Sequence, residues 1–165
     1  MTIRAAALAD LPQLTALFAA ARRFMAAGGN PCQWTGGYPG PEDLAADIRA
    51  GKSYVCEEDG AILASFFFDC GPAPEPSYGC IDGAWLRAGP YGVIHRVAVA
   101  DAARGRGVAG ACFAWCFAHS GGDLRADTHA DNRPMQRALE KNGFSRRGVI
   151  TLARGGTRWA YEKTL

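Results

Sequence analysis

Four residues, Arg104-Gly105-Arg106-Gly107, stand between an apolar, β-like run that begins at His95 and a helix-like run that continues through Trp115. A loop joining a strand to a helix presents unbonded backbone N–H groups at the positive end of the helix dipole, which makes it a ready anion site. Glycine at 105 and 107 lets the backbone curl toward a phosphate with no Cβ in the way, and Arg104 and Arg106 add charge and forked donors. The chemistry that this pattern suggests is the holding of a pyrophosphate.

Other phosphate loops fit less well. Gly105-Arg106-Gly107-Val108-Ala109-Gly110 matches G-x-G-x-x-G, a pattern that is weak on its own. Four residues, Ala100 to Ala103, separate the strand from Arg104, and only 55 residues follow Gly110. A dinucleotide fingerprint turns almost directly from strand to glycine and needs further βαβ units. No complete G-x-x-x-x-G-K-[ST] occurs, which excludes a Walker A loop. The six cysteines (Cys32, Cys56, Cys70, Cys80, Cys112, Cys116) form no C-x-x-C pair and no His-paired zinc spacing, so reduced thiols and no metal site are expected. Cys112 and Cys116 read as small apolar filling on one helix. The net charge of +2 divides unevenly, −4 over residues 1–89 and +6 over residues 90–165. A polyanionic ligand fits that asymmetry, and so do scattered solvated arginines.

The elements that must position this loop follow from pattern. With 165 residues, 48% hydrophobic and 21% charged, the chain reads as a single globular domain spanning 1–165. Its first residues carry no apolar leader and no window approaches 18 apolar residues, so a cytoplasmic protein is expected. "TIRAA" reads as a first strand, and Asp10 as the cap of a helix whose Leu11, Leu14, Leu17, Phe18 and Ala21 keep the 3.6 period. Residues 28–41 form a Gly/Pro-rich loop carrying Trp34 and Tyr38, and Pro41 opens a second helix that ends near Gly51. Tyr54–Glu57 and Ala61–Asp69 make a hairpin through Asp59-Gly60. Residues 70–90 hold four prolines and no clean period, hence an elaborated connection. Next come a strand over 91–99, a helix from about Gly107 to His119, a strand over 124–128, a helix from about Asn132 to Asn142, and a hairpin of 146–152 and 157–163 turning at Gly155-Gly156. Antiparallel hairpins around one strand-helix-strand crossover predict an α+β fold with a mixed sheet.

Val97-x-Val99 followed by Arg104-x-x-Gly107-x-Ala109 resembles the acetyl-CoA signature of the GNAT N-acetyltransferase superfamily, (Gln/Arg)-x-x-Gly-x-(Gly/Ala) after a strand. Residues 124–144, "LRADTHADNRPMQRALEKNGF", are similar to that family's next strand and helix, with Asn132 at the helix start and Glu140 to Phe144 at its end. The element order matches over essentially the whole chain. The resemblance implies a mixed, mostly antiparallel central sheet flanked by helices, with a strand-helix-strand acetyl-CoA site. It implies that Val97, Ala98 and Val99 lend backbone groups to pantetheine, that Arg104, Gly105, Arg106, Gly107, Val108 and Ala109 hold the pyrophosphate, and that Asn132 contacts the cofactor's arm. A backbone N–H near Val97 would polarise the thioester carbonyl. The implied reaction is direct attack by the neutral amine of a small molecule on the cosubstrate acetyl-CoA in a ternary complex, with no metal. No nucleic-acid or membrane partner is expected, and a homodimer is compatible with the reading.

A protonated amine has no lone pair, so the site needs a proton acceptor. His95, two residues before Val97 on the same strand face, occupies a position similar to that of strand histidines in the arylalkylamine branch of the superfamily, and His129, after the next strand, is the second candidate. Many members carry a Tyr that protonates the departing thiolate where this chain has Leu139; Tyr161 and Tyr91 are the available substitutes. A thiolate leaves without full protonation, so the departure need not abolish turnover. Trp34, Tyr38 and Trp85, on the loops 28–41 and 70–90 with Cys32, Gln33 and Tyr78, are the candidate acceptor contacts, and Asp69 and Asp82 are available to a cationic substrate. Two other functions fit the same residues: a non-catalytic acyl-CoA-binding domain, and transfer to a protein amine.

Overall fold

Eight strands and four helices make up the computed structural model, which describes residues 1–165. The order is β1 (Thr2–Ala5), α1 (Leu11–Ala27), α2 (Pro41–Arg49), β2 (Ser53–Glu58), β3 (Ala61–Gly71), β4 (Ile81–Gly83), β5 (Tyr91–Val99), α3 (Val108–His119), β6 (Asp123–Thr128), α4 (Arg133–Lys141), β7 (Ser145–Thr151) and β8 (Thr157–Thr164). Short 3-10 turns occupy Leu8–Asp10, Pro76–Gly79 and Asp101–Ala103. The strands form one mixed sheet in the order β1-β2-β3-β5-β6-β8-β7-β4. Its β5–β6 pair is parallel, whereas β1–β2, β2–β3, β6–β8, β8–β7 and β7–β4 are antiparallel. This is the expected mixed, mostly antiparallel α+β arrangement.

By contacts the chain divides into two compact units, Met1–Phe68 with His95–Cys112, and Asp69–Ile94 with Phe113–Leu165. In the first, α1 buries Leu14, Leu17, Phe18 and Ala21 against Leu44 of α2, Val55 of β2 and Ala98 of β5. Each such Leu, Val or Phe contributes about 1.5–3 kcal/mol of transfer free energy. The β2–β3 hairpin turns where expected, with Asp59 (φ 51°) and Gly60 (φ 79°) both left-handed, the conformation a two-residue hairpin turn demands. Asp10 differs from expectation: it precedes α1 but makes no side-chain bond to that helix. Its carboxylate instead accepts the Ala7 N–H at 2.8 Å and both terminal nitrogens of Arg4 at 2.8 and 3.1 Å. The charged fork competes successfully for the same oxygens.

In the second unit, β6, β8 and β7 pair in succession, and Phe113 of α3 meets Phe144 edge-on at 5.5 Å. Asn132 caps α4, accepting the Met135 N–H at 3.2 Å, and Gln136 and Leu139 face inward. The connection 70–90 carries one element that periodicity does not show, β4, whose Ile81, Asp82 and Gly83 pair with Ile150, Val149 and Gly148 of β7. Asp and Gly are poor strand formers, so this strand exists through its partner rather than its own propensity. The approach is close enough that a Cβ on Gly83 would fall on the Arg147 carbonyl and one on Gly148 on the Asp82 carbonyl.

Candidate active site

Strand β5 is apolar except at two adjacent positions, His95 and Arg96. Its parallel ladder with β6 runs from Gly92↔Leu124 to Ile94↔Ala126 and stops there. Two residues beyond that stop, Arg96 has φ 50°. An L residue pays about 1–2 kcal/mol for the left-handed region, so neighbouring contacts must hold it. Asp47 of α2 accepts Nε at 2.8 Å and Nη2 at 2.9 Å, and the Tyr38 hydroxyl accepts Nη1 at 2.6 Å. The guanidinium carbon lies 4.8 Å from the centre of the Phe67 ring, and the His95 ring packs on the same Phe67 at 5.8 Å. Burial pushes the Asp47 carboxyl above its ordinary value, while the charge of Arg96 pulls it back.

The glycine turn follows from the same strand. After the 3-10 turn Asp101–Ala103, Gly105 (φ 76°) and Gly107 (φ 78°) reverse the chain into α3 at Val108. Space is open around both, since a Cβ on either would meet nothing within 4 Å. The first-turn amides of α3 lack partners within the helix, so this cradle fits a pyrophosphate. The two arginines are already engaged. Asp101 accepts Arg104 Nε and Nη2 at 3.1 and 2.8 Å, the Arg104 guanidinium stacks 3.4 Å from the Phe24 ring, and Arg106 Nη2 reaches Glu58 at 2.5 Å. Hydrogen bonding from Arg106 holds the Glu58 carboxyl below its ordinary value.

The remaining candidates divide between structural and open positions. His129 sits in the turn between β6 and α4, where its Nδ1 accepts the Asp131 N–H at 3.1 Å and its carbonyl accepts the Asn132 N–H at 2.9 Å. Leu139, in the register of the family's Tyr, is buried. Tyr161 is wholly buried on β8, and its hydroxyl is raised by burial and then by the charge of Glu140. Tyr91 donates its hydroxyl to the Glu75 carbonyl at 3.2 Å. Trp34 packs against Phe18 of α1 at 5.6 Å, on the first unit's core, whereas Tyr38 reaches Arg96.

Within the second unit, the connection 70–90 folds over an open cavity of about 570 Å³. Trp85 and Tyr78 meet there at 5.0 Å, and the Trp85 indole N–H donates to the Tyr78 carbonyl at 2.9 Å. Tyr78 donates its hydroxyl to Asp127 at 2.7 Å, and burial, with Asp127's charge, raises that hydroxyl well above its ordinary value. The guanidinium of Arg125 lies between the rings of Trp85 (4.4 Å) and Tyr91 (4.0 Å). It pairs with Asp123 at 3.0 Å and with Glu162 at 3.3 Å. Glu162, 0% exposed, also accepts the backbone N–H of Leu86 and lies 3.9 Å from Arg147. Arg96, Asp47, Arg125 and Glu162 were all missed by motif reasoning. The available signal was a charged residue inside an otherwise apolar strand, as at Arg96 after His95.

Comparison with known proteins agrees with this geometry. The model of the acetyltransferase (GNAT) family matches residues 30–144. The crystal structure of a GNAT-family acetyltransferase from Streptococcus agalactiae 2603 is 32% identical over 99% of this chain and 95% of its own, with a TM-score of 0.89. Two more distant structures share the fold. Ribosomal-protein-alanine N-acetyltransferase from Brucella melitensis is 23% identical over the whole of both chains, with a TM-score of 0.64. AAC(6')-Ib in complex with ribostamycin and coenzyme A is 19% identical over 99% of this chain and 92% of its own, with a TM-score of 0.67. No curated protein matches the chain. A family model that spans most of the sequence, a 32%-identical relative of nearly the same length, and a glycine turn at the head of α3 lead to one conclusion: the chain belongs to the GNAT acetyltransferase family.

Proposed function

We propose that this acetyltransferase transfers the acetyl group of acetyl-CoA to the amine of a small molecule by direct attack in a ternary complex, and that residues 1–165 serve as one catalytic domain. The observation that carries the reading is the run from Val97 to Val108, in which β5, past the end of its ladder with β6, leads into a turn whose two glycines leave room for an anion. Acetyl-CoA supplies an activated acetyl thioester. Val97, Ala98 and Val99 offer backbone groups to its pantetheine. The amides from Gly105 to Ala109 hold its pyrophosphate, with Arg104 and Arg106 exchanging carboxylate partners for phosphate oxygens. A backbone N–H near Val97 donates to the carbonyl oxygen that gains charge during attack. Asn132, in the second unit, keeps the role toward the cofactor's arm that the resemblance gives it.

His95 accepts the amine's proton, directly or through one water. His129 is the weaker choice, because its Nδ1 is already an acceptor for its own turn. The AAC(6')-Ib structure, with ribostamycin beside coenzyme A, supports a small-molecule acceptor as a precedent within the fold. An amine panel, scored by release of free CoA thiol, tests the reading. Amine-dependent thiol release supports it. CoA binding without release for any amine assigns the chain to a non-catalytic acyl-CoA-binding role, and release with peptide amines alone assigns it to protein acetylation.

A further inference from the structure

We propose that Arg96 is a positioning residue for acetyl transfer, tied by Asp47, Tyr38 and Phe67 so that the backbone on either side of it holds the His95 ring and the Val97 peptide in place. The inference rests on the function proposed above. Only two non-glycine residues of the chain are left-handed, Asp59 and Arg96. Asp59 lies in a hairpin turn, where that conformation is expected. Arg96 lies inside β5, with no turn to require it, between the proposed proton acceptor and the proposed thioester contact.

Its side chain is where three segments of the first unit converge. Asp47 of α2 takes two of its donors in a fork, the Tyr38 hydroxyl from the loop 28–41 takes a third, and Phe67 of β3 lies beneath the guanidinium. The pair is mostly shielded, with the Arg96 and Asp47 side chains 20% and 15% exposed. Because Phe67 also carries the His95 ring, one aromatic surface registers the imidazole against the guanidinium. Lysine has no fork and cannot reproduce this geometry. Tyr38 becomes the outer end of the tether, so the loop 28–41 bears on the strand through Arg96.

The test separates strain, charge and tether. Arg96→Gly keeps the left-handed backbone without strain but removes every side-chain contact; Arg96→Lys keeps the charge and loses the fork; Asp47→Asn keeps the shape and loses the charge. Each is measured for thermal stability, for CoA affinity by calorimetry, for kcat and KM with an amine from the panel, and for the His95 imidazole signal in protein labelled with 15N-histidine, assigned by His95→Gln. Arg96→Gly is expected to bind CoA within about threefold of wild type and to change KM by less than about threefold. Its kcat should fall by about ten- to a hundredfold, and its His95 signal should broaden or split. Arg96→Lys should recover part of kcat, and Asp47→Asn should lie between them. An unaltered kcat with a single sharp His95 signal overturns the proposal, as does a loss that appears only in stability and CoA affinity. Should wild type bind CoA and acetylate no amine, the function proposed above fails, and the imidazole signal alone decides the role of Arg96: sharp and single in Arg96→Gly refutes it, broadened supports it. Should Arg96→Gly not fold, Asp47→Asn carries the same comparison.

Discussion

Replacing His95 by alanine removes one imidazole from a strand whose next residue stays tied to Asp47 and Tyr38. A general base contributes roughly a hundred- to ten-thousandfold, so kcat/KM near neutral pH should fall within that range while CoA affinity stays constant. The deficit should shrink as pH rises toward the amine's own pKa, because the free base then forms unaided; pH–rate profiles of wild type, His95→Ala and His129→Ala with one amine check this. A flat deficit, or none, would remove His95 from the proton path. Arg104 and Arg106 lead to a smaller effect. Each must give up an exposed carboxylate, Asp101 or Glu58, to meet a phosphate, so alanine at either should weaken CoA by only about three- to tenfold. Pantetheine without phosphates should be unaffected, and calorimetry with both ligands distinguishes this from misfolding. The glycine turn was legible in the sequence because residues adjacent in the chain, from Val97 to Ala109, build it from their own backbone. Arg96 was not, because its partners lie 49 and 58 residues away, and nothing local announces which of several carboxylates it will find.

At the level of elements, periodicity served wherever an element carries its own pattern. The helix that begins near residue 11, the Asp59-Gly60 hairpin and the last hairpin stand within a residue or two of their expected places. It missed β4, three residues with no apolar alternation that become a strand only against β7. It also assigned Asp10 to the wrong partner, since the spacing that suits a helix cap equally suits Arg4 on β1. That ion pair has a pH consequence. The hydrogen bonds from Arg4 hold the folded Asp10 carboxyl below its ordinary value. The stability it contributes is therefore fully present above the unfolded carboxyl's pKa, about 3.9, and is lost as pH falls through the lower folded value. Asp10→Asn should be less stable than wild type by about 1–2 kcal/mol at pH 7 in low salt. The gap should begin to narrow as the pH drops below about 4 and close only below the lower folded value. Urea unfolding at pH 7 and pH 3 reads the difference, and a gap of the same size at pH 3 would mean that the loss comes from packing.

For the whole molecule, the boundaries between the two compact units fall inside β3, β5 and α3, at Phe68/Asp69, Ile94/His95 and Cys112/Phe113. Neither unit is a continuous piece of chain, and no composition shift or linker marks them, which is why the sequence reads as undivided. The second unit is organised around buried charge: Arg125 and Glu162, 5% and 0% exposed, with Asp123 beside them. Glu162→Gln leaves Arg125 with a weakened partner and should cost about 3 kcal/mol or more. A fall in the urea midpoint at constant slope measures it, and a change under 1 kcal/mol would show that Asp123 suffices. Glu162 also receives the backbone N–H of Leu86, 76 residues earlier in the chain. During synthesis at about 5–20 residues per second, the segment around Trp85 and Leu86 is made roughly 4–15 s before the carboxylate that fastens it exists. For that interval the Leu86 N–H has no carboxylate to meet, so this end of the connection 70–90 is fastened only after β8 has been made.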